Sequence, residues 1–208
     1  MNEAPRTGSG VDPSRSDPSR IDLHDAGAMR ALAHPMRLRI LGLLRVDGPA
    51  TVGMIAERTG EAAGSASYHM QTLAKHGFVE PAPELARDRR ERWWRAAHQV
   101  TSWQPAEFLG DPERHAASDA MRRAVLDAYH RELLEALDAE AHLDAEWVAA
   151  SDSSDGAAYL TLDEFRELGA DLAAVRERWF ARGRDERERP EGARAVRWIT
   201  HTFPRPAR

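Results

Sequence analysis

Cysteine is absent from the 208 residues. Disulfides, thiolate metal sites and cysteine nucleophiles are excluded together, and any metal would have to rely on His and carboxylate ligands. Lysine is nearly absent: Lys75 stands alone, and the other cations are arginine, a bias without functional meaning by itself. No apolar run approaches the roughly 18 residues of a membrane span. The opening MNEAPRTGSG holds no apolar signal core. The expectation is a cytoplasmic protein, nucleoid-associated if it meets DNA, with no membrane partner. No nucleophile elbow, phosphate loop or HExxH motif is present, so no catalytic residue, no cofactor and no enzyme is expected.

What is present is a charge split. The chain carries −5 overall, which argues against nucleic acid until it is divided. Residues 1–99 sum to +2 and residues 100–208 to −7. DNA binding needs a local basic surface and not a basic chain. The asymmetry suits a basic-leaning head on an acidic body.

Residues 1–20 are rich in Pro, Ser, Gly, Asp and Arg and read as a disordered arm, with Asp12 and Asp17 interleaved among Arg15 and Arg20. Folded sequence starts near Ile21. A short helix is expected over Asp25–Leu32. His34-Pro35 breaks and restarts the chain, with Pro35 at the first helical position. Met36, Ile40, Leu41 and Leu44 then repeat at helical spacing until Asp47-Gly48-Pro49. Thr51 caps a helix over Val52–Arg58, stopped by Thr59-Gly60. Another helix runs from about Ala62 to His76, with Ala66, Met70 and Leu73 inward and Gly77 closing it. Two short helices joined by a tight glycine-containing turn form a helix-turn-helix. Phe78-Val79 begins a strand that ends at Pro81 and Pro83. A second strand over Arg92–Ala97 completes a hairpin with a basic tip, a wing.

Residues 100–111 read as a connector. Asp111-Pro112 starts a long helix to about Leu143, with Met121, Val125, Leu126, Tyr129, Leu133 and Leu137 on one broad face. Tyr159–Leu162 is expected as a short strand. Thr161 and Glu164 form a capping box before a helix whose apolar face is Phe165, Leu168, Leu172, Val175 and Trp179. Ala195–Phe203 reads as a last strand.

The chemistry concentrates on the helix Ala62–His76. Its outward face holds Gly64, Ser65, Ser67, Tyr68, Gln71, Thr72 and Lys75. Small residues let the helix start approach a groove floor, and Ser, Gln and Tyr can bond to base edges or phosphates. An ordinary solvated face carries more Glu and Lys, and here no acid follows Glu61. Lys75 suits either a phosphate contact or the helix dipole. His69 flanks the apolar stripe and reads first as a half-buried structural histidine, second as a phosphate contact. The wing offers Arg87, Arg89, Arg90, Arg92 and Arg95, diluted by Asp88 and Glu91. Trp93 and Trp94 point to opposite faces of their strand, one of them to the core.

The run Leu32-Ala33-His34-Pro35-Met36-Arg37-Leu38-Arg39-Ile40-Leu41, followed by Ser67-Tyr68-His69-Met70-x-x-Leu73-x-x-x-Gly77-Phe78-Val79, resembles the ArsR-like family of winged-helix regulators. The motifs cover about residues 25–99. The resemblance implies a homodimer on a two-fold operator in double-stranded DNA, acting as a repressor released by an effector. It carries the recognition-helix role to Ser65, Ser67, Tyr68 and Gln71, and the wing role to Arg87, Arg89 and Arg90. Weaker motifs around Trp147, Leu160–Glu164, Gly192–Val196 and Phe203-Pro204 resemble a subgroup of the same regulators.

The chain also departs from that family. Metal-sensing members use Cys pairs, or Asp-x-His with His-x-x-Glu on a long helix. Here the nearest set is Asp127, His130, His142 and Glu146, each gap one residue too long. On a helix that turns the second ligand away by about 100°, so no metal is expected. A small organic effector remains, with Trp147, Tyr159, Trp179, Trp198 and Phe203 either lining a pocket or filling a core.

The expectation is thus an α+β, mostly helical protein: arm 1–20, winged helix-turn-helix 21–99, connector 100–111, and a helical dimerisation and effector domain with a short β-element over 112–204. Tyr129, Leu133 and Leu137 are expected at the dimer interface. The rival readings are a winged helix that binds another protein and a metal-responsive repressor.

Overall fold

Local signals set most of the helices of the head. In a computed structural model, which describes residues 20–88, 91–180, 182 and 189–205, the helix α1 spans Ala26–Leu32. Asp25 caps it by accepting from the Ala28 N–H at 2.7 Å. Helix α2 (Pro35–Val46) has Pro35 at its first position, where a missing N–H costs nothing. Helix α3 (Val52–Thr59) is capped by Thr51, which accepts from the Met54 N–H at 3.3 Å. Gly60 closes it at φ +74°, a left-handed conformation costly for any side chain with a Cβ. Helix α4 (Ala63–Lys75) ends before Gly77, also left-handed at φ +73°.

Five short strands among the described residues complete the head. β1 (Arg20–Asp22) pairs in parallel with β5 (Val100–Ser102), Ile21 opposite Thr101. β2 (Ala50–Thr51), β3 (Val79–Pro81) and β4 (Trp93–Ala96) form an antiparallel sheet in the order β2-β4-β3. Pro81 sits on the edge strand, where its lack of an N–H breaks no inner ladder. Helix, turn, helix and hairpin in this order are a winged helix-turn-helix, as the sequence implied. The β1–β5 pair was not foreseen. Three-residue strands fall below what alternation can reveal, and Arg20, in the stretch read as an arm, is the first residue of β1. The rest of that arm, residues 1–19, lies outside the described residues.

The core gathers Leu23, Met29, Leu32, Ile40, Leu41, Leu44, Ile55, Met70, Leu73 and Phe78. Three arginines of α2 reach outward from it to neighbouring backbone. Arg37 donates to the Ala31 carbonyl and, at 3.1 Å, to that of Arg30, at the end of α1. Arg39 donates to the Thr59 carbonyl at 3.3 Å, at the end of α3. Arg45 donates to the His98 carbonyl at 2.9 Å and to the Thr101 hydroxyl at 2.7 Å, behind the wing. Helix C-termini leave carbonyls without intrahelical partners, and a guanidinium satisfies them while opposing the negative dipole end.

Helix α5 runs Pro112–Ala139, its start held by Asp111, which accepts from the Glu113 and Arg114 N–H groups at 3.0 Å. Those bonds and the Arg114 guanidinium hold the Asp111 carboxyl below its ordinary pKa. Phe108, in the connector, and Ala117, Met121 and Val125 of α5 are buried in the head core. The chain accordingly divides into compact units 1–135 and 136–208, inside α5, whereas the sequence placed a connector at 100–111.

The second unit holds the end of α5, helix α6 (Ala145–Ala149) and helix α7 (Leu162–Phe180). The capping box of α7 forms as expected: the Thr161 N–H donates to the Glu164 carboxylate at 2.7 Å, and the Glu164 N–H to the Thr161 hydroxyl at 3.3 Å. These bonds to Thr161 hold the Glu164 carboxyl below its ordinary pKa. Two expected strands do not form. Tyr159–Leu162 leads into α7, and Ala195–Phe203 has no ladder pairing. A strand exists only beside a partner strand, and β-prone residues alone supply none. Arg194 pairs with Asp144 and lies over the Trp147 ring at 5.1 Å. Among the described residues of this unit none is buried. No helix among the described residues is long and apolar enough to cross a membrane.

The buried half of α5 predicts a measurable asymmetry. Met121→Ala should cost about 2–5 kcal/mol of head stability, read as a lower urea midpoint at unchanged slope. Leu126→Ala, half exposed on the same helix, should cost much less. Equal costs would show that α5 does not belong to the head core.

Candidate nucleic-acid interface

Helix α4 is two-faced. Ala66, His69, Met70 and Leu73 are buried against α1, α2 and α3. Gly64, Tyr68, Gln71 and Lys75 are exposed. Their spacing of i, i+4, i+7 and i+11 makes one continuous stripe on the opposite side. Tyr68 is 64% exposed. Ser65, Ser67 and Thr72 border the stripe and are half-buried.

The side chains of this face differ in how free they are. Gln71 Nε2 lies 3.5 Å from the Ser67 hydroxyl, a weak bond that a stronger acceptor would displace. The Thr72 hydroxyl donates to the Tyr68 carbonyl at 3.0 Å, one turn back. This ties down the hydroxyl's proton and leaves only its lone pairs available. The start of α4 is bare. Ala62 at the N-cap makes no side-chain hydrogen bond, and the first turn holds no acid. Its N–H groups and positive dipole end are therefore open to an anion.

The wing follows α4 directly. Its turn is organised by acids: the Glu91 carboxylate accepts from the Arg87 N–H at 3.0 Å and the Trp93 indole at 3.2 Å, and Asp88 accepts from the Glu91 N–H at 3.1 Å. Those bonds, the Arg87 N–H first, hold the Glu91 carboxyl below its ordinary pKa. The acids that dilute the wing's charge thus build its turn. Arg87 and Arg92 are exposed. Arg89 and Arg90 lie outside the described residues. Arg95 is held by Glu80 at 2.7 Å and by Glu84, so its charge is neutralised within the hairpin. Trp94 packs against the core, as expected for one of the two tryptophans.

Other head cations are similarly engaged. Arg30 pairs with Glu113 at 3.0 Å, Arg58 with Asp47 at 3.5 Å, and Arg20 with Asp22 at 3.0 Å. Lys75 and Arg92 make no ion pair among the described residues. Counting residues could not separate these groups, because a sequence does not show which arginines are used as caps.

Of the residues expected at a dimer interface, Tyr129 packs against the head's own core. Leu133 and Leu137 are 58% and 63% exposed. Among the described residues no group of His and carboxylates is placed to hold a metal ion, Asp127, His130, His142 and Glu146 included. Tyr159, Trp179, Trp198 and Phe203 are exposed.

Fold and exposed face together define a winged helix-turn-helix protein, the class in which one helix is presented to the DNA major groove. Residues 32–82, less than half of the chain, match the family described as the helix-turn-helix domain. Among solved structures, the chain is similar to the homodimeric winged helix-turn-helix DNA-binding domain of a possible ArsR-family transcriptional regulator from Mycobacterium bovis, with 27% identity over 51% of this chain and 77% of that one, and a TM-score of 0.32. No curated protein matches the sequence.

The two faces of α4 predict opposite responses to truncation. Tyr68→Ala and Gln71→Ala should leave stability within about 0.5 kcal/mol. Met70→Ala should cost about 2–5 kcal/mol. Thermal unfolding of the three variants tests this, and a large loss in Tyr68→Ala would mean that its ring serves the fold.

Proposed function

We propose that this protein is a sequence-specific DNA-binding transcriptional regulator, with α4 as the recognition helix and the wing as a backbone contact. The exposed stripe Gly64–Tyr68–Gln71–Lys75 carries this reading. It combines a small residue, two hydrogen-bonding side chains and one cation, with no acid, on a helix whose other side is buried. Tyr68 and Gln71 would read base edges. Ser65, Ser67 and Thr72 would border the contact, and Lys75 with Arg87 and Arg92 would meet phosphates. Arg89 and Arg90 are assigned to the wing contact by sequence position.

The reading extends to a homodimer that acts as a repressor on a two-fold operator. A protein that reads two half-sites needs two recognition helices related by the same symmetry. The exposed Leu126, Leu133, Leu134 and Leu137 on α5 support an interface there. The second unit, without a buried side chain among its described residues, also lacks the core that an independent domain needs.

Footprinting on the DNA flanking its own gene, followed by gel shifts, tests the first part. Tyr68→Ala and Gln71→Ala should each weaken operator binding by about 1–3 kcal/mol and relax sequence preference. Arg87→Ala with Arg92→Ala should weaken binding to all sequences alike. The double change should also reduce the salt slope by about 0.9 for each phosphate that is no longer neutralised. Binding that ignores both salt and the α4 variants would refute the assignment. Sedimentation tests the second part. The native chain should be a dimer at micromolar concentration, and Leu133→Glu should split it, because burying an unpaired charge is strongly unfavourable. A native monomer would refute the dimer.

A further inference from the structure

Two histidines meet where α4 rests on the corner between α1 and α2. His34 is the N-cap of α2, in extended backbone, and its ring Nδ1 accepts from the Met36 N–H at 3.2 Å. His69 lies on the buried face of α4 and is only 7% exposed. The two rings approach to 4.7 Å between centroids, tilted by 46°. Tyr68 presents its ring edge to His69 at 5.7 Å. The His69 Nδ1 is buried without a hydrogen-bond partner among the described residues. Close by, the Arg37 guanidinium is fixed by the carbonyls of Arg30 and Ala31. Apart from the Tyr68 ring edge, these contacts lie off the outward face of α4.

We propose that His34 and His69 form a proton-sensitive latch that seats α4 on the α1–α2 corner while both imidazoles are neutral and releases it when they are protonated. The chemistry follows from the inventory of a histidine ring. A neutral imidazole has one acceptor nitrogen, and His34 uses it on the Met36 N–H. Protonation turns that nitrogen into a donor facing a donor. The cap is lost, and the N–H joins the unsatisfied groups of the helix start. A proton on either ring also creates a cation beside Arg37, which its two carbonyl bonds hold in place. On His69 that cation would sit almost out of water.

The charged and titratable groups bearing on the pair come from three places. Arg37 on α2 disfavours protonation of both rings, and Glu61, in the turn between α3 and α4, favours it. Tyr68 on α4 faces Arg37. Burial is the largest influence, and with Arg37 it holds both histidines below their ordinary pKa. The unfolded chain therefore binds these protons more readily than the folded one. The latch contributes its full stability above the ordinary histidine value of about 6.5. That contribution is lost as pH falls through the lower values of the folded state. If α4 reads DNA as proposed, affinity falls in the same window, a consequence that rests on that reading.

The test uses the full chain without DNA. Imidazole C–H resonances are followed by NMR from about pH 8 to pH 4.5, with those of the pair assigned through His34→Asn and His69→Gln. Urea midpoints are measured over the same range. Both resonances should titrate below the free-histidine value, and the wild-type midpoint should fall with them. His34→Asn keeps an N-cap acceptor that does not titrate, so it should remain stable at neutral pH and lose at least half of the acid-induced shift in midpoint. The latch is overturned if either ring titrates at or above the free value, or if His34→Asn and wild type lose stability alike. Should His69→Gln fail to fold, the His34→Asn assignment and the two midpoint curves still decide. Absence of DNA binding would sink the proposed function and leave these readouts unchanged.

Discussion

Everything this protein presents outward depends on the burial of one side of α4. A helix of thirteen residues has little stability of its own in water. It persists because Ala66, Met70 and Leu73 are removed from solvent against α1, α2 and α3. Each fully buried side chain of the Leu or Met kind is worth about 1.5–3 kcal/mol. That apolar contact relieves the opposite face of any structural duty. Gly64 can be small, and Tyr68 and Gln71 can stay exposed. Packing on one side is what leaves the other side exposed.

Electrostatics plays a different part from the one that charge counting suggests. Residues 1–99 are only slightly basic, and many of their arginines are already committed. Arg37, Arg39 and Arg45 satisfy carbonyls at the ends of neighbouring segments. Arg95 closes the hairpin through Glu80 and Glu84. The forked guanidinium suits this work, since one group can bond two carbonyls at once. A modest net charge is then compatible with a DNA-facing surface, because the cations that matter are the few left outside these bonds. The acids of the wing follow the same logic: Glu91 accepts from the Arg87 N–H, and Asp88 from the Glu91 N–H.

The two compact units obey different rules. The head draws the first part of α5 into its own core through Phe108, Met121 and Val125. The second unit keeps well-formed local structure, with the α7 capping box in place, yet leaves most of its leucines, and Trp179 and Trp198, exposed. Local capping and tertiary burial are separate achievements, and among the described residues of 136–205 this chain displays the first without the second.

The same distinction separates what was legible in the sequence from what was not. The caps at Thr51 and Thr161, the helix start at Pro35 and the closing turns at Gly60 and Gly77 are each decided within a few residues, so the helix order and the inner and outer faces of α4 could be read directly. Strand pairing between Arg20–Asp22 and Val100–Ser102 could not, because partners eighty residues apart leave no local mark on three-residue strands. For the same reason Ala195–Phe203 looked like a strand and is not one: its residues favour a ladder that no neighbour provides. The division of α5 at 135 was equally hidden, since its apolar stripe continues past the point where the head core ends. His34 shows the boundary most clearly. As a residue before proline it marked a break in the chain, a matter of local sterics. Only the packing of α4 onto that corner set its ring against His69, because two side chains thirty-five positions apart meet only when the fold brings them together.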